Sequence, residues 1–267
     1  MLEPTHEEAG DYFSASRLTT YMICPNKYLF NYVEKQRKEQ LPAPMMFGSA
    51  VHKTIEAVYQ RLMDKATPMT VEEVKDEAAG FWMAQTERAF NESERGVGYT
   101  EKESEDLLKD RIVKLMEVFV SEFDMPDEVN AIEQRFRCWI FDPETGERLD
   151  LQFLGIVDAI TTRGGEQIIE EHKTAGRRWS RHDYENNLQA SLYLAAHPLG
   201  ELRFNVLVKR ANPVVEVFHV QANDWQQNDA VNTMCNVIKA VEDRNFYPRR
   251  GYMCDRCSFR RRCYEGS

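Results

Sequence analysis

Two acids and a lysine are the residues of this 267-residue chain whose types and spacing most invite chemistry. Gly155-Ile156-Val157-Asp158 is followed, after a turn, by Ile168-Ile169-Glu170-Glu171-His172-Lys173. Both stretches read as strands. Side chains alternate faces along a strand, so Glu171 and Lys173 point the same way, and Asp158 on the preceding strand can lie beside them. Paired carboxylates are the donors that Mg²⁺ or Mn²⁺ takes. A lysine two residues from one of them can orient water or balance charge building on a phosphate. The group suits metal-assisted phosphodiester hydrolysis. Taken alone it better suits an exposed strand face with an ordinary ion pair, since Glu-x-Lys is very common. Glu170 leaves a one-residue choice, although only Glu171 has the acid-x-lysine spacing.

Three further features bear on that choice. Gln189 and Tyr193 stand one turn apart on a helix and share a face, which could hold a phosphate or the attacking water, or be a polar edge beside Leu188 and Leu192. His52 follows Gly48-Ser49-Ala50-Val51, whose small residues would let a helix approach a sheet closely. An imidazole there would tilt a site towards Mn²⁺, whereas a lone helix histidine is more often a surface residue. Cys254-x2-Cys257-x5-Cys263 gives three close thiolates, and a tetrahedral soft-metal site needs a fourth. Cys138 and Cys235 fall mid-strand and mid-helix, where buried free thiols are common. Cys24, in the loop Met22-Ile23-Cys24-Pro25, is the expected fourth ligand. Spacing alone does not separate zinc from iron–sulfur.

The elements that must position these groups follow from period and punctuation. Residues 14–33 read as helix broken by Pro25, with Ser14 or Ser16 as N-cap. Pro42 and Pro44 mark a turn. Helical spacing then runs over 47–64, 70–91 and 103–123, with a polar linker around 91–100. After Pro126 the period changes to strands at 129–141, 149–162 and 167–173. A helix over 182–197, strands at 203–210 and 214–220, and a helix over 224–242 capped by Asn223 complete the pattern. The expectation is a mixed α/β core over 126–243, a helical N-terminal region over 1–125 and a Cys-rich tail over 244–267 that packs back on that region.

Charge is uneven. The chain carries 34 basic and 44 acidic residues, net −10, which argues against a passive nucleic-acid coat. Residues 244–263 nevertheless hold seven arginines and one acid, a local excess that is what a phosphate backbone meets. Phe246, Tyr247, Tyr252 and Phe259 interleave those arginines, which is equipment for single strands, unless several of these rings simply wrap the metal bound by the cysteines. The acid-rich stretch from Thr70 to Met125 reads as a solvated helical face. No apolar run approaches the ~18 residues that span a bilayer, and Met1 to Gly10 is polar and acidic, unlike a secretory signal. These features predict a soluble cytoplasmic protein whose crowded cysteines meet metal rather than disulfides.

In order, and over nearly the whole chain, several segments resemble the PD-(D/E)XK nuclease superfamily. They are Phe13-Ser14-Ala15-Ser16-Arg17-Leu18 with Cys24-Pro25, Phe47 to His52, Gly155 to Asp158, Glu171-His172-Lys173, Gln189-Ala190-Ser191-Leu192-Tyr193 and the final cysteines. The likeness is to the RecB-like exonuclease branch with a four-cysteine cluster, among CRISPR-associated, AddB-type and phage homologues. It implies a restriction-endonuclease-like core, a mixed central sheet flanked by helices. It implies Mg²⁺ or Mn²⁺ held by His52, Asp158, Glu171 and the His172 carbonyl, with Lys173 catalytic and Gln189 and Tyr193 as the family's paired helix residues. Cys24, Cys254, Cys257 and Cys263 would hold a [4Fe-4S] cluster, structural Zn²⁺ being the alternative. The implied activity is DNA exonuclease cleavage, 5′→3′ on single strands or free ends, in recombination, repair or phage DNA processing. A CRISPR-adaptation nuclease and a non-catalytic subunit of a recombination complex are the alternatives, with proteins of those systems as partners and no membrane. Arg177, Trp179, Arg181, Arg249, Arg250 and Tyr252 are the expected DNA contacts. His172 departs from the apolar residue usual between acid and lysine, and the 66–125 helices are longer than in compact relatives.

Overall fold

The change of period after Pro126 is the change from helices to sheet. The computed structural model describes residues 1–7, 10–221 and 223–265. In chain order the elements are β1 (Leu2–Thr5), β2 (Tyr12–Phe13), α1 (Ala15–Ile23), α2 (Pro25–Tyr28), which runs on through a π turn over Leu29–Val33, β3 (Leu41–Pro42), α3 (Ala43–Met63), α4 (Val71–Glu92), β4 (Val97–Gly98) and α5 (Glu105–Glu122). Next come β5 (Glu128–Phe141), β6 (Arg148–Arg163), β7 (Glu166–Ala175), α6 (Arg181–Glu185), α7 (Leu188–Ala196), β8 (Glu201–Val208), β9 (Val214–Gln221), α8 (Asp224–Glu242), a 3₁₀ turn over Tyr252–Arg256 and α9 (Arg260–Glu265).

Local chemistry explains most boundaries. Ser14 accepts the Arg17 N–H at 3.3 Å and starts α1, while Pro25 opens α2, where a missing N–H costs nothing. Thr70 and Glu73 form a capping box on α4, and Ser104 caps α5. Pro42 and Pro44 do not make a separate turn. They lead straight into α3, because proline is preorganised for a first helical turn. The helix expected over 182–197 is two pieces, since Asn187 turns its side chain onto the Ala190 N–H and caps α7 afresh.

Among the described residues seven strands form one sheet in the order β1-β5-β6-β7-β8-β9, with β2 added beside β6. β7 and β8 run parallel, joined by the α6–α7 crossover that such a pair needs. β2 is parallel to β6, and the remaining neighbours are antiparallel. β1 and β2, short and partly polar, carry no period that sequence can show. They form by pairing with β5 and β6.

Helices cover each face. On one, Leu18, Leu192, Val231 and Met234 from α1, α7 and α8 meet Phe153, Val157, Ile169 and Phe204. On the other, Phe47, Ile55, Trp82, Ile112 and Phe119 from α3, α4 and α5 meet Val129, Ala159 and Leu207. No helix among the described residues is long and apolar enough to cross a membrane.

The sheet departs from a plain ladder on either side of Asp158. β6 and β7 pair only from Ala159/Glu170 to Arg163/Glu166, after which β6 stays with β5 and β7 with β8. The sheet forks there. Upstream, Gly155 pairs with Phe136, and a Cβ at Gly155 would come within 2.0 Å of the Phe136 ring. That ring lies edge-on to Tyr193, with centroids 5.4 Å apart. Gly155→Ala should expel the ring and cost about 1–3 kcal/mol in denaturant unfolding. In a Phe136→Ala background that cost should largely vanish, and an equal cost in both backgrounds would show the ring is not the reason for glycine.

Candidate active site

At the fork, strands that no longer bond each other offer backbone N–H groups to side chains. The His172 N–H donates to Asp158 Oδ2 at 2.7 Å, and the Asp158 N–H donates more weakly to Glu171 Oε1 at 3.4 Å. Glu171 Oε2 accepts from Lys173 Nζ at 2.7 Å and from Gln189 Nε2 at 2.8 Å. His52 Nδ1 lies 3.3 Å from Asp158 Oδ1. Asp158, Glu171, Lys173, His52 and Gln189, drawn from β6, β7, α3 and α7, therefore converge. Small residues bring α3 close: a Cβ at Gly48 would already touch Thr174 Oγ1 of β7 at 3.4 Å.

Gln189 and Tyr193 share a helix face but differ in task. Gln189 reaches Glu171. The Tyr193 hydroxyl donates to the Ile156 carbonyl at 2.9 Å and accepts the Ile156 N–H at 3.3 Å. A place for Tyr193 at a phosphate or water gives way to clamping of the β6 backbone two residues before Asp158, because its hydroxyl is already engaged both ways.

Alternation sends Glu170 and Glu171 to different surroundings. Glu170 points to the other face and is fully buried. It accepts from Tyr59 Oη at 2.6 Å, Thr161 Oγ1 at 3.0 Å, Arg163 Nε at 2.7 Å and Asn205 Nδ2 at 2.9 Å. Such a carboxylate has no capacity left for a ligand. Its donors come from three elements, α3, β6 and β8, so no local motif announces them. His172 lies on the same face against the rings of Tyr59 and Phe119. Burial lowers its pKa to about 4, so it is neutral and packs among these rings, with Nδ1 3.4 Å from Asn205 Nδ2 and a buried Nε2 that has no hydrogen-bond partner among the described residues.

Charge at the fork is unbalanced. Burial, and then Asp158, push the Glu171 carboxyl up to about 7 although Lys173 opposes them. Burial would raise Asp158 as well, but the His52 hydrogen bond and charge hold it well below the usual carboxylate range. His52 is in turn raised, the pull of Asp158 outweighing burial. Among the described residues no three His, Cys, Asp or Glu side chains are arranged as a metal site as they stand. The donor set still fits a hard divalent cation: two buried carboxylate groups face one ammonium, with an imidazole alongside. A carboxyl whose pKa is raised on folding adds stability below its ordinary 4.5 and loses it as pH rises through about 7. Metal-free protein should lose thermal stability across that window, and the slope should flatten in Glu171→Gln. Identical slopes would refute a buried, strained charge at Glu171.

Cys24, Cys254, Cys257 and Cys263 line one cavity of about 410 Å³. The Arg249 N–H points at Cys24 Sγ and the Gly251 N–H at Cys254 Sγ, each at 3.4 Å. Burial raises the Cys257 thiol, and Cys24 and Cys254 add to the shift. The tail is carried there by backbone bonds: the Asn26 N–H donates to the Tyr247 carbonyl at 3.2 Å and the Glu39 N–H to the Ser258 carbonyl at 2.9 Å. Phe259 packs on Phe30, with centroids 5.6 Å apart. Cys138 and Cys235 are buried in the other core, remote from this set.

The expected DNA contacts are placed unevenly. Arg177 forks onto Asp183 with two 2.8 Å bonds, and Arg181 pairs with Glu185 at 2.6 Å. Trp179 stacks on Phe218 and meets Phe204 edge-on, so one ring face is taken by packing rather than open to bases. Arg249 donates to the Met22 carbonyl at 2.7 Å, Arg250 lies over the Tyr264 ring, and Tyr252 is 85% exposed.

The sequence profile of the PD-(D/E)XK nuclease superfamily matches residues 12–264. We find no match among curated proteins. Among solved structures, a "Putative exonuclease" from Eubacterium rectale superposes with a TM-score of 0.55 at 12% identity, over 96% of this chain and 88% of that one. The crystal structure of SSO0001 gives a TM-score of 0.46 at 12% identity, over 98% and 90%. A mixed central sheet flanked by helices is consistent with the fold of this family, and with all but the chain's ends inside the match the protein belongs to the PD-(D/E)XK nuclease superfamily.

Proposed function

We propose that this protein is a divalent-metal-dependent DNA exonuclease with a four-cysteine iron–sulfur cluster, of the RecB-like branch. The observation that carries the reading is the meeting of Asp158, Glu171, Lys173 and His52 at the fork. The exonuclease description of the Eubacterium rectale structure supports the reaction class. Asp158, Glu171, His52 and the His172 carbonyl would hold Mg²⁺ or Mn²⁺, which supplies an activated water and offsets phosphate charge. Lys173 stays protonated, because Glu171 and Asp158 outweigh its burial, and so can steady charge on a phosphate oxygen or orient water. Gln189 fixes the Glu171 carboxylate, and Tyr193 fixes the strand that carries Asp158.

The four thiols around one cavity suit a [4Fe-4S] cluster, with backbone N–H groups already aimed at two sulfurs. Arg249, Arg250 and Tyr252 beside that cavity, with Arg177 and Arg181 a few residues after the lysine in sequence, would track a single strand by charge and stacking. Free ends of single-stranded DNA, cut 5′→3′ in recombination, repair or phage DNA processing, complete the proposal.

Purified protein should degrade end-labelled single-stranded DNA with Mg²⁺ or Mn²⁺, and comparison of 5′ and 3′ labels reads polarity. Lys173→Ala should slow cleavage by roughly 10²-fold or more while still folding. Full activity in that variant would refute the role of the lysine, and no product from the parent would favour a non-catalytic binder. The protein should be brown with absorbance near ~400 nm. Cys257→Ser should bleach that band and lower the melting temperature, since ligation ties the tail to α1–α2. A colourless zinc protein would remove the cluster and leave a structural zinc site.

A further inference from the structure

β5 leaves strand geometry at one residue beside the fork. Glu133 has a φ of +51°, in the left-handed region that residues with a Cβ seldom enter. Ile132 pairs with Ala159 and Gln134 with Val157, so Glu133 stands level with Asp158. The register shifts of β5 lie elsewhere, between Val129 and Ala131 and between Trp139 and Phe141, so no bulge accounts for this conformation. The partner strand is irregular at the same level: Val157 packs in one core and Ala159 in the other, although strand alternation would put them on one face.

The Glu133 side chain is exposed, and with His52 it lines a cavity of about 390 Å³ that opens beside the fork. Asp158 and Glu56 repel its charge, while Lys53 and His52 attract it. Lys53 is already bonded to Glu56, and Arg88, on the same cavity wall, to Glu92. Among the described residues no side-chain hydrogen bond or ion pair engages the Glu133 carboxylate. An uncommitted acid, held in an unfavourable backbone conformation and aimed at the cavity that His52 shares, has no packing reason to be there.

We propose that Glu133 is a positioning residue for the divalent cation at Asp158 and Glu171, its carboxylate accepting hydrogen bonds from the ion's water shell on the His52 side. The inference rests on the nuclease reading and extends it by a third carboxylate. Mg²⁺ usually takes one or two carboxylates directly and keeps several waters, so a further acid nearby acts through those waters. Backbone strain of this kind persists where the surrounding structure imposes it, commonly at functional sites.

Two substitutions separate this role from a structural one. Mn²⁺ binding to the full chain without DNA is measured by calorimetry, and melting is measured without metal. Glu133→Gln should weaken Mn²⁺ binding several-fold. Glu133→Gly should weaken it similarly yet melt higher, by roughly 2–4 °C, because glycine takes a positive φ at no steric cost. Parental affinity in either variant, or a Glu133→Gly protein no more stable than the parent, overturns the proposal. Asp158→Ala is the control. If that variant loses Mn²⁺ while Glu133→Gln keeps it, Glu133 alone is wrongly placed. A parent that binds no Mn²⁺, or an Asp158→Ala protein that binds as the parent does, removes the nuclease reading and this inference together.

Discussion

β6 and β7 share a ladder from Ala159/Glu170 to Arg163/Glu166 and then separate. A strand that loses its neighbour inside a protein must find other partners for its backbone. Here Asp158 and Glu171 supply them, one carboxylate taking the His172 N–H and the other the Asp158 N–H. The same bonds that repair the interrupted sheet fix the two acids side by side. Their cost falls on Glu171, whose carboxyl is raised first by burial and then by the neighbouring Asp158 charge, although Lys173 opposes both. A divalent cation is the charge that would relieve it.

The two faces of the sheet hold the fork open from opposite sides. Towards α3 and α5, Glu170 gathers Tyr59, Thr161, Arg163 and Asn205 into a closed buried network, so β7 cannot rotate without leaving polar groups unpaired. Towards α7, Gln189 holds Glu171 and Tyr193 clips the Ile156 backbone. Gly155 belongs to that second side. It leaves room for the Phe136 ring, which in turn packs against Tyr193. Glycine at 155, aspartate at 158, glutamine at 189 and tyrosine at 193 are thus parts of one arrangement rather than separate signatures.

The ends of the chain meet by a different logic. The tail has little regular structure, yet backbone hydrogen bonds and the Phe246, Tyr28 and Phe259 rings seat it on the N-terminal helices. This brings Cys24 to the three cysteines more than two hundred residues away. The arginines crowded in residues 244–263 come with it, and two of them pair with acids of the N-terminal region, Arg256 with Glu103 and Arg261 with Glu94.

Much of this was written in the linear sequence. Period and punctuation gave β5 to β9, α4, α5 and α8 to within two residues, because amphipathic repeats and caps act over a few positions, whereas α3 begins four residues before its apolar period. The facing of Glu171 and Lys173 followed from alternation alone. What sequence left open had non-local causes. β1 and β2 are too short to show a period and exist only through their partners. Nothing near Glu170 says that Tyr59, Arg163 and Asn205 will saturate it, and Tyr193 carries no mark that its hydroxyl belongs to Ile156. Trp179 is an expected DNA contact by its place after Lys173, and nothing local says that Phe204 and Phe218 will pack against it. Glu133 is one acid among many in sequence; only a fork on the neighbouring strand, and a backbone turned left-handed beside it, set it apart. Residue type and spacing determine which groups are available, but burial and pairing between distant strands decide which of them face one another.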